Sequence, residues 1–244
     1  MTTVGLLGVG AASGKTPTRR MGKFGIIRSR VGRPDMSAFK CFLLAFLVGQ
    51  GLPAFVNGQV NPADAWERRL NELQPPDKVL EAVGVRPGMV IGEVGAGRGR
   101  YTVHLARGTG PEGRVYANDI DAGSLAYLRE RCQRDGIGNV MTILGKMDDP
   151  LFPPSGLDLV FMVNTWHHLA RPVVLLRNLV PALRPGATVA IVEHDPDKSG
   201  AAFLREATSR ETMQGQAAEA GFEIVRVETF LETDNIYILR PKAN

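Results

Sequence analysis

The feature that most constrains the fold is a repeated switch of hydrophobic period that begins near residue 62. Short apolar runs such as Met89-Val90-Ile91-Gly92-Glu93-Val94 and Leu157-Asp158-Leu159-Val160-Phe161-Met162-Val163 are long enough for buried strands and too short for helices. Between them lie stretches with helical spacing. The pattern predicts helices over residues 62–73 and 77–83, with Asn61 as a cap before Pro62 at the first helical position. It then predicts strand 89–94, helix 99–107, strand 114–118, helix 122–135, strand 140–144, strand 157–163, helix 173–183 and strand 188–193. Strands that alternate with helices at this spacing imply a parallel sheet covered on both faces. The tail differs, with helix 210–220 followed by strands 222–227 and 235–239. Two strands with no helix between them predict an antiparallel edge. The chain therefore reads as α/β, a doubly wound sheet, with neither internal repeat nor low-complexity tract after residue 60.

The first 58 residues do not share this pattern. They hold eight of the 29 Lys and Arg and one acid, Asp35, so the formal charge of +4 is carried by this segment. The remaining 186 residues contain 21 basic and 24 acidic groups, which removes the case for a basic nucleic-acid surface on the globular part. Residues 41–56, CFLLAFLVGQGLPAFV, are short for a membrane span, which needs about 20 residues. With Lys40 before them and Val56 and Gly58 after a Gly-Leu-Pro break, they read as a signal peptide cleaved after Gly58, starting at Met36. An uncleaved anchor giving membrane association through 41–56 and an Arg-rich transit peptide are the other readings. The expected organisation is a targeting segment over 1–58 and one domain over 59–244, exported or membrane-associated in the first two cases and cytoplasmic or organellar otherwise. Residues Gly8 to Thr16 end like a phosphate-binding loop, but Val9 stands where that pattern needs glycine and no strand–helix context follows. Cys41 lies in the apolar run and Cys132 is alone in the globular part, which excludes a disulfide framework there.

Within the globular part the chemistry concentrates at Glu93-Val94-Gly95-Ala96-Gly97-Arg98-Gly99. Alternate glycines after a strand let backbone turn tightly and approach a ligand with no Cβ in the way. A dinucleotide loop would place its third glycine at position 100, which is Arg100. A carboxylate at Glu93 would repel a pyrophosphate but suits an ammonium group or the loop's own amides. Asp119 falls at the carboxyl end of the second strand, where an acid can bind both hydroxyls of a ribose. The bland alternative is a glycine turn followed by an exposed acid.

These segments, residues 90–105, 115–121 and Leu183-Arg184-Pro185-Gly186, resemble the class I S-adenosylmethionine-dependent methyltransferases over roughly residues 77–239. The resemblance implies a Rossmann-like sheet of seven strands in the order 3-2-1-4-5-7-6 with an antiparallel seventh strand, and S-adenosylmethionine as cofactor. It implies that Glu93, Gly95 and Gly97 line the methionine end and that Asp119 takes the ribose hydroxyls. Ala96 and Gly99 in the loop and Asn164 after strand four join the candidate cofactor set. The family's acid after strand three holds the adenine amino group. Here Gly145 is followed by Lys146, Met147, Asp148 and Asp149, so Asp148 substitutes from two residues on or is a solvated turn acid.

After strand four comes Asn164-Thr165-Trp166-His167-His168-Leu169, at the edge where open α/β sheets bind ligands. Methyl transfer is an in-line displacement at a sulfonium, so a base is needed only for poorly ionised acceptors. His167 and His168 are the candidate bases; the alternative is a capping or packing role beside Trp166. His-His-Leu at this place resembles small-molecule members, whereas amino-nucleobase methylases show Asn or Asp with Pro-Pro and an aromatic. The expected acceptor is a small molecule or an exposed protein side chain, not nucleic acid. Glu193, His194 and Asp195 could wall the acceptor site, but three adjacent polar residues lack metal-ligand spacing, and no metal is expected. The helix over 62–73, with Trp66, Leu70 and Leu73 at helical spacing, is either a cofactor lid or a core-packing helix. Two other functions compete: a non-catalytic S-adenosylmethionine-binding sensor or scaffold, and a nicotinamide oxidoreductase, which Arg100 and Glu93 oppose. Export would also separate the domain from a methyl donor made in the cytoplasm.

Overall fold

The computed structural model describes residues 62–198 and 207–242. The targeting-like segment, Met36, the Gly8 to Thr16 loop and the Asn61 cap lie outside the described residues, and all described residues fall within the compact unit Asn57–Asn244. In chain order the elements are α1 (Pro62–Leu73), α2 (Pro76–Val83), β1 (Val90–Val94), α3 (Thr102–Thr109), β2 (Arg114–Asp119), α4 (Ala122–Arg134) and β3 (Val140–Leu144). They continue with β4 (Leu157–Val163), α5 (Pro172–Leu179), β5 (Leu183–His194), α6 (Arg210–Glu219), β6 (Phe222–Glu228) and β7 (Asp234–Pro241). The sheet has seven strands in the order β3-β2-β1-β4-β5-β7-β6. β1 to β5 pair in parallel, and β7 runs antiparallel between β5 and β6. The predicted class, order and odd strand are all found.

Two helix boundaries move, each for a backbone reason. The helix predicted from residue 99 starts at Thr102, because Gly97 and Gly99 take φ of +54° and +86°, values outside the right-handed helical region. The helix predicted to 183 ends at Leu179 and tightens into a 3₁₀ turn over Val180–Ala182. Pro181 has no amide hydrogen to continue the α pattern. β5 then begins at Leu183, paired with Leu157 ahead of a bulge, so it is longer than the apolar run alone suggests.

Alternation along the central strands sends side chains to two cores. Val160, Met162, Val189, Ile191 and Tyr237 pack with Leu175, Leu176 and Leu179 of α5 and Met213 and Ala217 of α6. Ile91, Leu159, Phe161, Ala190 and Ile236 pack with Val79 and Val83 of α2 and Leu105 of α3. A strand covered on both faces reads as a continuous apolar run, which is why β4 was legible. In α4 the cap is Asp121, whose carboxylate accepts from the amides of Gly123 and Ser124, satisfying donors that a helix start leaves open. These layers bury the strand sides and leave the carboxyl ends of β1, β2, β4 and β5 to form the site.

Candidate active site

The glycine loop crosses from β1 to α3 in contact with two neighbouring strand ends. Gly95 has φ +74°, and a Cβ there would come within 2.3 Å of Thr165 Oγ1, so glycine is required both by conformation and by the approach of the segment after β4. At Gly97 the space is open: no atom lies within 4 Å of where a Cβ would sit. Its amide donates to Asp119 Oδ2 at 2.8 Å, and the amide of Asp121 donates to Asp119 Oδ1 at 2.8 Å. Asp119 is thereby fixed at the end of β2 beside the loop. Gly99 serves packing instead, since a Cβ would strike Leu128 Cδ1 of α4 at 2.3 Å.

Glu93 is buried on β1 and accepts from Thr102 Oγ1 at 2.5 Å. Loss of water pushes its carboxyl up to about 8, against the lowering by the Thr102 hydrogen bond and Arg100. Arg100 lines the same cavity. Its guanidinium lies 4.6 Å from the Tyr101 ring centroid and donates to Asn71 Oδ1 at 3.2 Å and Gln74 Oε1 at 2.7 Å.

Two cavities flank the loop. One, of about 430 Å³, is lined by Glu93, Gly95, Ala96, Gly97, Arg100 and Asn164, with Trp66 and Leu70 of α1 on its outer side. The other, of about 310 Å³, is lined by Asp119, Ile120, Lys146, Met147, Asn164 and His168 among others. Gly95 and Asn164 border both. Of the two readings of α1, the structure places Leu70 in the core and Trp66, 64% exposed, at the cavity mouth. The loop, a buried carboxyl for a cation and a fixed carboxylate for a diol fit a nucleoside bearing an amino-acid tail.

The acceptor side is made from the ends of β4, β5 and β7. Asn164 has φ +49°, which asparagine tolerates better than most residues. The ring of His167 sits 2.7 Å from Glu193 Oε1 through Nδ1 and 3.1 Å from His168 Nε2 through its own Nε2. His167 and Glu193 are almost wholly buried, whereas His168 is exposed and reaches the second cavity. Beside them His194 Nδ1 is 3.0 Å from Asp234 Oδ1. Burial pushes the Asp234 carboxyl up, but hydrogen bonds from His194, Thr233 and Gln74 outweigh it and hold the group below its ordinary value.

Glu93, Gly95, Ala96, Gly97, Asp119, Asn164 and His168 thus converge on the cleft. His167 stands one residue behind it. Asp148 is not in either lining; it forms an ion pair with Arg171. Glu193 serves His167, and Asp195 pairs with Asn235. Among the described residues no group of His, Cys, Asp and Glu has metal-site geometry. Sequence reasoning missed Gln74, Asp234 and the cavity role of Arg100. The only signal was Arg100 itself, a large cation where a dinucleotide loop has glycine.

Comparison with known proteins agrees with the fold and the cofactor class. A family model described as "Methyltransferase domain" matches residues 91–186. The ubiquinone/menaquinone biosynthesis C-methyltransferase UbiE of Shewanella woodyi is 26% identical over 192 residues, covering 66% of this chain and 76% of that protein. A SAM dependent methyltransferase from Aquifex aeolicus is 27% identical with a TM-score of 0.64, covering 72% of this chain and 97% of that one. At 17% identity and TM-score 0.60, the fold is shared with the O-methyltransferase NcsB1, solved with S-adenosyl-L-homocysteine and 1,4-dihydroxy-2-naphthoic acid, over 75% of this chain and 59% of that one.

Proposed function

The chain belongs to the class I S-adenosylmethionine-dependent methyltransferases, and from that premise we propose that its acceptor is a small organic molecule with a weakly acidic hydroxyl, deprotonated at His168. The observation that carries the reading is the chain His168–His167–Glu193, which begins in a cavity and ends on a buried carboxylate. S-adenosylmethionine, when bound, supplies a methyl group on a sulfonium. Glu93, Gly95, Ala96, Gly97, Asp119 and Asn164 are the residues that would hold it.

The rest is proton logic. A Glu193 carboxylate only accepts, so His167 donates from Nδ1 and its Nε2 becomes an acceptor. His168 must then donate from Nε2, which leaves the lone pair on its Nδ1. That nitrogen takes the hydroxyl proton of the acceptor, so that the oxyanion, or the ring carbon it activates, could accept the methyl group a bound cofactor would supply, the methyl–sulfur bond breaking and a neutral thioether leaving. The positive charge gained by His168 is spread towards Glu193 through the hydrogen bonds of His167. His167 and Glu193 are positioning residues in this scheme. A small-molecule acceptor is in keeping with the UbiE relative, a C-methyltransferase of ubiquinone and menaquinone biosynthesis.

The test offers the full-length protein S-adenosylmethionine with a panel of hydroxylated aromatic acids, quinols and peptides, and reads product masses. Methylation of a small hydroxylated aromatic is expected. His168→Ala should lower turnover about 10²- to 10⁴-fold with cofactor binding retained. Methylation of peptides alone, or full turnover by His168→Ala, would refute the reading.

A further inference from the structure

A further cavity, of about 560 Å³, lies at the other end of the sheet, between the turns that lead into β2 and β3. Ala106, Arg107, Arg114, Ile137, Gly138 and Asn139 are among its lining, and its size is that of a small-molecule site. Arg114 opens β2 and Asp119 closes it, so the cavity stands about 17 Å along that strand from the cofactor side of the cleft. Its apolar part is the buried Ala106 with the half-buried Ile137 and Val140, which pack against the core. At the rim Gly136 takes φ +65°, a conformation that selects glycine. Gly138 is different. Its φ is outside the left-handed region, and no described atom lies within 4 Å of where a Cβ would sit. Neither backbone nor packing demands glycine there, and its effect is to leave the cavity open.

The polar groups favour an anion. Asn139 Nδ2 donates to the carbonyls of Ala106 and Gly110 at 2.9 and 2.8 Å. These belong to the last turn of α3 and its cap, the negative end of that helix, so the amide offsets a partial charge that would repel an anion. Arg107 and Arg114 add two full positive charges, both exposed to solvent. Nearby acids neutralise them weakly. Asp135 is 3.9 Å from Arg107 and 4.0 Å from Arg131, beyond hydrogen-bonding distance, and Arg131 is engaged by Glu67. Glu112, in the turn before β2, pairs with neither lining arginine. The Arg114 side chain has no ion pair or hydrogen bond among the described residues.

We propose that this cavity binds a small organic anion, a carboxylate, sulfonate or phosphate carried on an apolar body. Arg114 and Arg107 take the charge, and Ile137 and Val140 take the body. A guanidinium suits both parts of such a ligand, since its N–H fork pairs with an oxyanion and its flat face lies against an aromatic ring. The site is separate from the cleft, so it stands whatever the methyl acceptor is, and both sites fill together.

The experiment is a fluorescence titration of the full-length protein, saturated with S-adenosylhomocysteine, with anilinonaphthalene sulfonate as the anion and N-phenylnaphthylamine as its uncharged counterpart. The sulfonate should bind at least about tenfold more tightly than the amine. Arg114→Gln should weaken the sulfonate about tenfold and leave the amine unchanged, whereas Arg240→Gln, on β7 at the far side of the sheet, should change neither. Gly138→Leu should fill the cavity and weaken both ligands. Retained S-adenosylhomocysteine binding shows that each variant is folded; should Gly138→Leu fail that check, Arg107→Gln with Arg114→Gln decides. No sulfonate binding beside S-adenosylhomocysteine, equal binding of the two ligands, or sulfonate binding unchanged in the folded Arg114→Gln variant would overturn the assignment.

Discussion

The two halves of the cleft are built differently. On the cofactor side, Glu93, Gly95, Ala96, Gly97 and the Thr102 partner of Glu93 lie within one strand–turn–helix, and Asp119 and Asn164 join them from the ends of β2 and β4. On the acceptor side the contacts are between segments far apart in the chain: His167 with Glu193, His194 with Asp234, and Gln74 with both Asn164 and Asp234. The first half depends on backbone conformation, which local sequence sets. The second depends on buried polar pairs, which exist only once β4, β5 and β7 lie side by side. Buried ionic pairs are costly to break and contribute little net stability when intact, so damage on this side should surface as lost folding and damage on the other as lost binding.

The sharpest break of that contrast is Asp234→Ala, which strips His194 and Gln74 of a buried partner. It should destabilise the protein by about 3–5 kcal/mol in urea unfolding; a loss below about 1 kcal/mol would mean that the acceptor-side pairs are not structural. Next in size, Asp119→Ala should weaken S-adenosylhomocysteine binding about 100-fold, or about 2.7 kcal/mol, while the unfolding midpoint moves little. Equal losses of binding and stability would erase the distinction between the halves.

A third effect is a pH dependence. The Glu93 carboxyl is raised from 4.5 to about 8 in the folded protein. Between those values the unfolded chain has released this proton and the folded chain retains it, so the contribution is present in full below the unfolded value and lost as pH rises towards 8. A cationic ligand favours the carboxylate, so cofactor affinity should rise with pH up to about 8, by at most about tenfold per unit. Glu93→Gln should flatten both slopes. A native affinity that is level from pH 6 to 8 would show that Glu93 binds the ligand without changing protonation.

Much of the site could be read from residues because its demands are local. Glycine at 95 is forced by backbone conformation and close approach, glycine at 97 is favoured by its positive φ alone, and Asp119 stands out by its place at the end of an apolar strand. Asp148 was harder to place because a turn acid is satisfied equally by a ligand or by a cation, and Arg171 arrives from the start of α5. Gly99 had the spacing of a ligand-binding glycine but answers to Leu128 on the next helix. His167 and His168, adjacent in sequence, were equivalent until the fold sent one to Glu193 and the other to a cavity.

By itself the sequence determined the class of fold, the strand order through its resemblance, and the glycine loop after β1, because hydrophobic period and backbone freedom are properties of neighbouring residues. Only the tertiary structure decided which histidine opens to the cleft, which acid stands behind the other, and that Gln74 joins Arg100 to the ends of β4 and β7. Those outcomes depend on which buried donors meet which acceptors, and long-range strand pairing alone brings such groups within hydrogen-bonding distance.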